Sequence, residues 1–232
     1  MRLADPALAG MLAALPALLV VGPRATGKTT TAQRYAKSAA RLDRPAEAAA
    51  FVADPDAALR VLVEPVLLDE WQAVPGVLGA VKRAVDDDPR PGRFLLTGSV
   101  TADLHAETWP GTGRVVRVPM FGLTMRELAG RSADLGFIDL LATGNPDVLT
   151  VPLELPDLAG YVDIALRGGF PDAVVGPAAS ARHLWLDGYL DQLLTRDAAG
   201  TAARDPARLR RYFEALALHS AGLAEQKTLY NA

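Results

Sequence analysis

Two glycines at a fixed spacing, followed by a lysine and a hydroxyl, constrain this chain more than any other feature of its 232 residues. The stretch Gly22-Pro23-Arg24-Ala25-Thr26-Gly27-Lys28-Thr29 has the form G-x-x-x-x-G-K-[ST]. That spacing suits a backbone curling its N–H groups around a polyphosphate, with glycine where a Cβ would clash or where φ is positive. In this reading Gly22, Pro23, Arg24, Ala25, Thr26, Gly27, Lys28, Thr29 and Thr30 form the anion-binding stretch. Lys28 reaches the β- and γ-phosphates, and the Thr29 hydroxyl binds Mg²⁺. The surroundings agree. Ala17 to Val21 is a short apolar run, as a buried parallel strand should be. Lys28 to Ala40 reads as a helix whose N-terminus faces the anion.

The next informative stretch is Val66-Leu67-Leu68-Asp69-Glu70, an apolar run ending in two carboxylates. Beside a phosphate loop, Asp69 takes the metal role, usually through water. Glu70 takes the role of polarising an attacking water. Taken alone, the pair would read more simply as a helix cap. Arg93-Phe94-Leu95-Leu96-Thr97-Gly98-Ser99 is another apolar strand with a polar end. Thr97 and Ser99 are both candidates to hydrogen-bond the water or the γ-phosphate, against the plainer reading of a strand-end turn. Arg114 precedes the β-branched run from Val115 to Val118, which fits the last strand of the core. It is a candidate arginine finger acting in cis or on a neighbouring subunit, or else a surface ion-pair partner.

The rest of the chain is helical in character. Pro6 to Leu15 reads as a short helix. Arg41 to Asp43 reads as a second strand, and Arg44 to Leu59 as one or two short helices broken by Pro45 and Pro55. Val77, Leu78, Val81 and Val85 recur at helical spacing. Leu104 to Gly113 reads as a loop. Thr124 to Ala129 opens a helix with Glu127 placed as in a capping box. Beyond Arg131, Leu158, Tyr161, Val162 and Ala165 share one helical face. Gly168-Gly169-Phe170-Pro171 makes a sharp turn, and Ala178 to Arg196 is the longest helix. Asp205 and Pro206 start a helix with Leu209, Tyr212, Phe213 and Leu216 on one side.

Composition narrows the classes. Lys and Arg total 24 against 27 Asp and Glu, so the net charge of −3 predicts no basic nucleic-acid surface. There is no Cys, which excludes disulfides and thiolate metal sites, and three scattered His tell against a metal site built from protein ligands alone. Ala7 to Gly22 has the apolarity of a signal-peptide core, but Pro16 interrupts it and it runs directly into the phosphate loop. No stretch is long enough to span a bilayer, and the chain is read as cytoplasmic.

Three stretches together resemble one prokaryotic AAA+ ATPase family with an N-terminal ATPase core and a C-terminal domain of unknown function. They are the phosphate loop with Thr30, Leu68-Asp69-Glu70-Trp71-Gln72, and Leu95-Leu96-Thr97-Gly98-Ser99. Arg114, Pro119, Glu127, the Gly168–Pro171 turn and Tyr189-Leu190-Asp191 match it further along. The resemblance implies an α/β fold of the P-loop NTPase type, a parallel sheet flanked by helices, followed by a small helical lid and the start of a winged-helix segment. It implies Mg-ATP binding and hydrolysis through Lys28, Thr29, Asp69 and Glu70, with Thr97 or Ser99 as sensor. It places the ATPase core at 1–130, the lid at 131–203 and an incomplete winged-helix segment at 204–232, as in a fragment or short form of a longer protein. Trp71 departs from the pattern, where a smaller aliphatic residue is more usual. The expected partners are ATP, a homo-oligomer and, through a missing C-terminal part, DNA. The competing readings are a small-molecule kinase and a nucleic-acid-binding module resting on Arg204, Arg208, Arg210 and Arg211.

Overall fold

The computed structural model describes residues 1–99, 113–148, 155–176, 179–197, 205–220 and 222. The loop read over Leu104 to Gly113 lies almost wholly outside the described residues, as does the end of the chain after Gly222. The chain divides into two compact units, Met1–Gly176 and Pro177–Ala232.

The first unit is built on five strands: β1 (Ala17–Gly22), β2 (Ser38–Arg41), β3 (Val66–Asp69), β4 (Phe94–Ser99) and β5 (Val115–Pro119). They form one sheet in the order β2-β3-β4-β1-β5, and every neighbouring pair is parallel. Parallel strands need crossovers that cover both faces, which is why the inner strands β1, β3 and β4 open on continuous apolar runs, while the edge strands β2 and β5 carry Ser38, Arg41 and Arg117. On one face Ala17, Leu19, Leu68, Leu96 and Phe94 pack with Phe51 of α3 (Pro45–Ala53), Leu59 of α4 (Pro55–Arg60), and Val77, Val81 and Val85 of α5 (Gly76–Asp87). On the other face Leu18, Val20, Leu67 and Leu95 pack with Leu8 and Leu12 of α1 (Ala4–Ala14) and Ala32 of α2 (Lys28–Gln33).

Two boundaries differ from the sequence expectation. The helix after the phosphate loop ends at Gln33, not Ala40. Its first turn holds three consecutive threonines, whose branched side chains favour helix weakly. The chain then turns and Lys37 N–H donates to Pro65 O at 2.8 Å, which draws Ser38 onward into the sheet. The second strand therefore runs Ser38–Arg41, pairing Ser38 with Val66 and Arg41 with Asp69, three residues earlier than read.

After the sheet come α6 (Met125–Leu128), α7 (Phe137–Ala142), α8 (Leu158–Arg167) and α9 (Pro171–Val175). The Thr124–Glu127 capping box is present at the start of α6. Gly122 and Gly169 lie backbone to backbone: a Cβ on either would stand 2.6 Å from a carbonyl oxygen of the facing segment. Leu123 N–H donates to Gly169 O at 2.5 Å, so the Gly168–Pro171 turn is fastened to the segment that leaves β5. The second unit holds α10 (Ala179–Gln192), continued by a π-helical turn to Asp197, and α11 (Pro206–Leu218). Within it Trp185 and Tyr189 stack with ring centroids 5.4 Å apart, and Arg210 pairs with Asp191 at 3.3 Å. No helix among the described residues is long and apolar enough to cross a membrane.

Candidate functional site

Three neighbouring strands end at the same edge of the sheet, and each delivers one part of the site. β1 delivers the phosphate loop. Gly22 is held so close to the chain leaving β5 that a Cβ there would lie 2.0 Å from Met120 O. Ala25 and Gly27 both take left-handed backbone conformations, φ 58° and 86°, which tightens the loop into a cup ahead of α2. Thr26, only 1% exposed, closes the loop from within by donating its hydroxyl to Pro23 O at 2.9 Å. Lys28 Nζ donates to the carbonyls of Gly22 (3.0 Å) and Pro23 (2.7 Å). Burial is the largest influence on this ammonium and holds it below its ordinary pKa of 10.5. Glu70 and Asp69 pull it back up, and Arg24 opposes them.

β3 delivers Asp69, and its Oδ1 is the meeting point of two hydroxyls. Thr29 Oγ1 donates to it at 2.7 Å, and Thr97 Oγ1 of β4 donates to the same oxygen. Thr97 is fully buried and Asp69 nearly so. Glu70 follows in a left-handed turn, φ 52° and ψ 48°, which swings it out of the strand. Its carboxylate accepts from the Gln72 side-chain amide and faces a cleft of about 360 Å³. Arg24, Ala25, Gly27, Lys28, Thr29, Thr30, Pro171 and Asp172 complete the wall of that cleft.

Trp71, the departure from the family pattern, is 5% exposed and belongs to the core beneath α5. Gly98 explains how it fits. A Cβ there would lie 2.6 Å from Gln72 Oε1 and 2.8 Å from Trp71 Nε1, so both side chains rest on the bare backbone of β4.

The structure thus brings together Lys28, Thr29, Asp69, Glu70 and Thr97. Ser99 ends β4 and its backbone pairs with Gly22, but its side chain lies outside the described residues. Arg114 stands apart from this cluster. It precedes Val115, which pairs with Ala17 at the opposite edge of the sheet. Six residues of strand at about 3.3 Å each put its backbone roughly 20 Å along the sheet from Gly22, and its guanidinium pairs with Asp86 at 2.7 Å.

Sequence reading missed Arg2. Its guanidinium donates to Thr26 O of the phosphate loop at 3.0 Å, to Phe121 O at 2.6 Å, and to Glu127 Oε1 at 2.8 Å. The pair is well buried, with side-chain exposures of 12% and 3%. Burial pushes the Glu127 carboxyl up, but the amides of Thr124 and Leu3 together with Arg2 outweigh it and hold the pKa below 4.5. The capping box signalled one Glu127 oxygen; nothing in the sequence signalled the arginine on the other.

The chain is similar to known proteins. Residues 15–129 match a family model described as an AAA domain, and residues 158–232 match one described as a domain of unknown function. Residues 15–129 are an AAA domain. An uncharacterized protein of Mycobacterium bovis and one of Mycobacterium tuberculosis are each 31% identical over 200 residues, 84% of this chain. The chain spans about two fifths of the length of these relatives, 39% in each case. Among solved structures, AMPPCP-bound DnaA from Aquifex aeolicus aligns over 97% of this chain and 80% of its own, with a TM-score of 0.40 and 12% identity.

The residues present suit Mg²⁺. That ion takes oxygen ligands, keeps several waters and needs few protein groups. Thr29 Oγ1 and Asp69, joined by a hydrogen bond at the mouth of the loop, supply one hydroxyl and one carboxylate. Among the described residues there is no group of three or more His, Cys, Asp or Glu able to hold a metal unaided, so the nucleotide's own phosphates would complete the shell.

Proposed function

We propose that this chain binds Mg-ATP at the phosphate loop and hydrolyses it, using the cycle to switch conformation. The observation that carries the reading is the convergence of Thr29 and Thr97 on one oxygen of Asp69, with Glu70 beside them facing the cleft that Lys28 also lines. When bound, Mg²⁺ would neutralise charge developing on the phosphates. Lys28 would exchange its carbonyl partners for phosphate oxygens. Thr29 and Asp69 would hold the metal, with Thr97 fixing the carboxylate. Glu70 would orient the attacking water and take its proton. Ser99 stays the alternative sensor. The segment 131–203 acts as the lid and 204–232 as the start of a winged helix. Pro171 and Asp172 support this, because they put part of the lid in the wall of the cleft. Arg114, at the far edge, would act on a neighbouring subunit of a homo-oligomer. Any DNA contact would fall to the length of the relatives that this chain does not span, and the setting is cytoplasmic.

Calorimetric titration with ATP and Mg²⁺ tests the site. Lys28→Ala should abolish binding, because the β/γ-phosphate charge loses its partner; equal affinity in variant and wild type would refute the assignment. Glu70→Gln should leave binding intact and slow turnover by roughly 10² to 10⁴. Phosphate transferred to a small-molecule acceptor instead of released to water would favour the kinase reading.

A further inference from the structure

Gln72 has no part in the reaction described above, yet it touches the hydrolytic carboxylate. A carboxylate only accepts hydrogen bonds, so the Gln72 group donating to Glu70 is the amide nitrogen. The amide oxygen must then point the other way, onto Gly98 of β4, where it is buried without a hydrogen-bond donor among the described residues. Leaving such an acceptor unpaired is costly. The other end of the side chain is held by the Glu70 carboxylate. Two consecutive residues of β4 thereby address two consecutive residues of β3's end: Thr97 holds Asp69 through its hydroxyl, and Gly98 seats the side chain that holds Glu70.

We propose that Gln72 is the positioning residue of Glu70, and that β4 sets both carboxylates in register, Asp69 directly through Thr97 and Glu70 through Gln72 standing on Gly98. This rests on the reading of Glu70 as the water-orienting group. The left-handed backbone at Glu70 swings the carboxylate off the strand but leaves its side-chain torsions free. The Gln72 amide removes that freedom, so the carboxylate meets the water in one orientation. Orientation of this kind acts on the chemical step and not on nucleotide affinity.

Single-turnover ATP hydrolysis, paired with titration of a fluorescent ATP analogue, tests this on the 232-residue chain. Gln72→Leu fills the same space with no donor and should slow the chemical step about 10- to 100-fold, the range for an outer partner of a site residue, with the dissociation constant within about twofold of wild type. Gln72→Met is a second variant of similar size that also offers no donor, and should behave alike. Gly98→Ala should reproduce the defect by pushing Gln72 aside. The double variant Gly98→Ala/Gln72→Leu should be no slower than the slower single variant, since both break one linkage. Wild-type turnover in Gln72→Leu, or affinity lost in parallel with turnover, would overturn the role of Gln72 alone. Absence of turnover in the wild-type chain would overturn the hydrolytic reading, and this inference with it.

Discussion

β4 and α8 both carry leucine and other large apolar residues, yet they end up in different surroundings. Phe94, Leu95 and Leu96 are at most 1% exposed, covered by helices on both sides of the sheet. Leu158, Tyr161 and Val162 are 81%, 55% and 51% exposed, and α8 has no buried residue. The difference lies in what each pattern demands. A strand inside a parallel sheet cannot form without neighbours and crossovers, so its continuous apolar run already implies its cover. A stripe of period 3.6 says only which face of a helix wants cover; among the described residues of α8, that cover is not complete.

The largest expected effect lies on the covered side. Leu96→Ala should destabilise the protein by about 2–5 kcal/mol, as large-to-small changes in a closed core do. Denaturant unfolding would show it as a lower midpoint at unchanged slope; a loss below 1 kcal/mol would mean β4 is less enclosed than its burial indicates.

Gly22→Ala joins packing to the site. The added Cβ would overlap Met120 O, a backbone atom 2.0 Å away. The cost should reach the upper part of the ~1–3 kcal/mol range for overpacking, and nucleotide binding should be lost with it. Retained ATP affinity in a stably folded variant would show that the phosphate loop tolerates a shift of β5.

These two positions also mark what the sequence made legible. The strands around Leu19, Leu68 and Leu96 and the cluster of Lys28, Thr29 and Asp69 were readable, because local patterns encode them: a continuous apolar run and a fixed spacing of glycine, lysine and hydroxyl. Thr97 was readable as a candidate, but its partner was not. It bonds Asp69 across 28 residues of chain, which no local pattern records. The early end of α2 was missed because β2's demand for pairing with β3 overrode a helix-like stretch. Arg2, 125 residues from Glu127, was invisible for the same reason as Thr97's partner.

Glu127→Gln tests a contact between these two kinds of region, since it ties α6 to the phosphate loop through Arg2. The variant should lose about 2 kcal/mol near neutral pH, as expected for a charge-assisted hydrogen bond. The pH dependence has a definite sign. The folded pKa of Glu127 is below its ordinary value of 4.5, so its stabilisation is complete above that value and fades as pH falls through the lowered one. Thermal melts of wild type and variant should therefore converge in acid. A constant gap across that window would mean the ion pair does not carry the difference.

The smallest effect is expected on the uncovered side, and it sharpens the comparison most. Leu158 opens α8 and is 81% exposed. Leu158→Ser removes an apolar side chain of similar size to Leu96, and places serine, a modest helix former, in the first turn after the Asp157 cap. That cap is retained, because Asp157 accepts from Gly160 N–H at 2.8 Å irrespective of residue 158. With little surface buried there is little to lose, so the change in unfolding free energy should stay within about 0.5 kcal/mol. ATP affinity should not move either, since Leu158 takes no part in the cleft wall. A loss comparable to that of Leu96→Ala would show that the stripe on α8 is covered in solution. The contrast between sheet and helix would then be one of which element supplies the cover, not of whether cover exists.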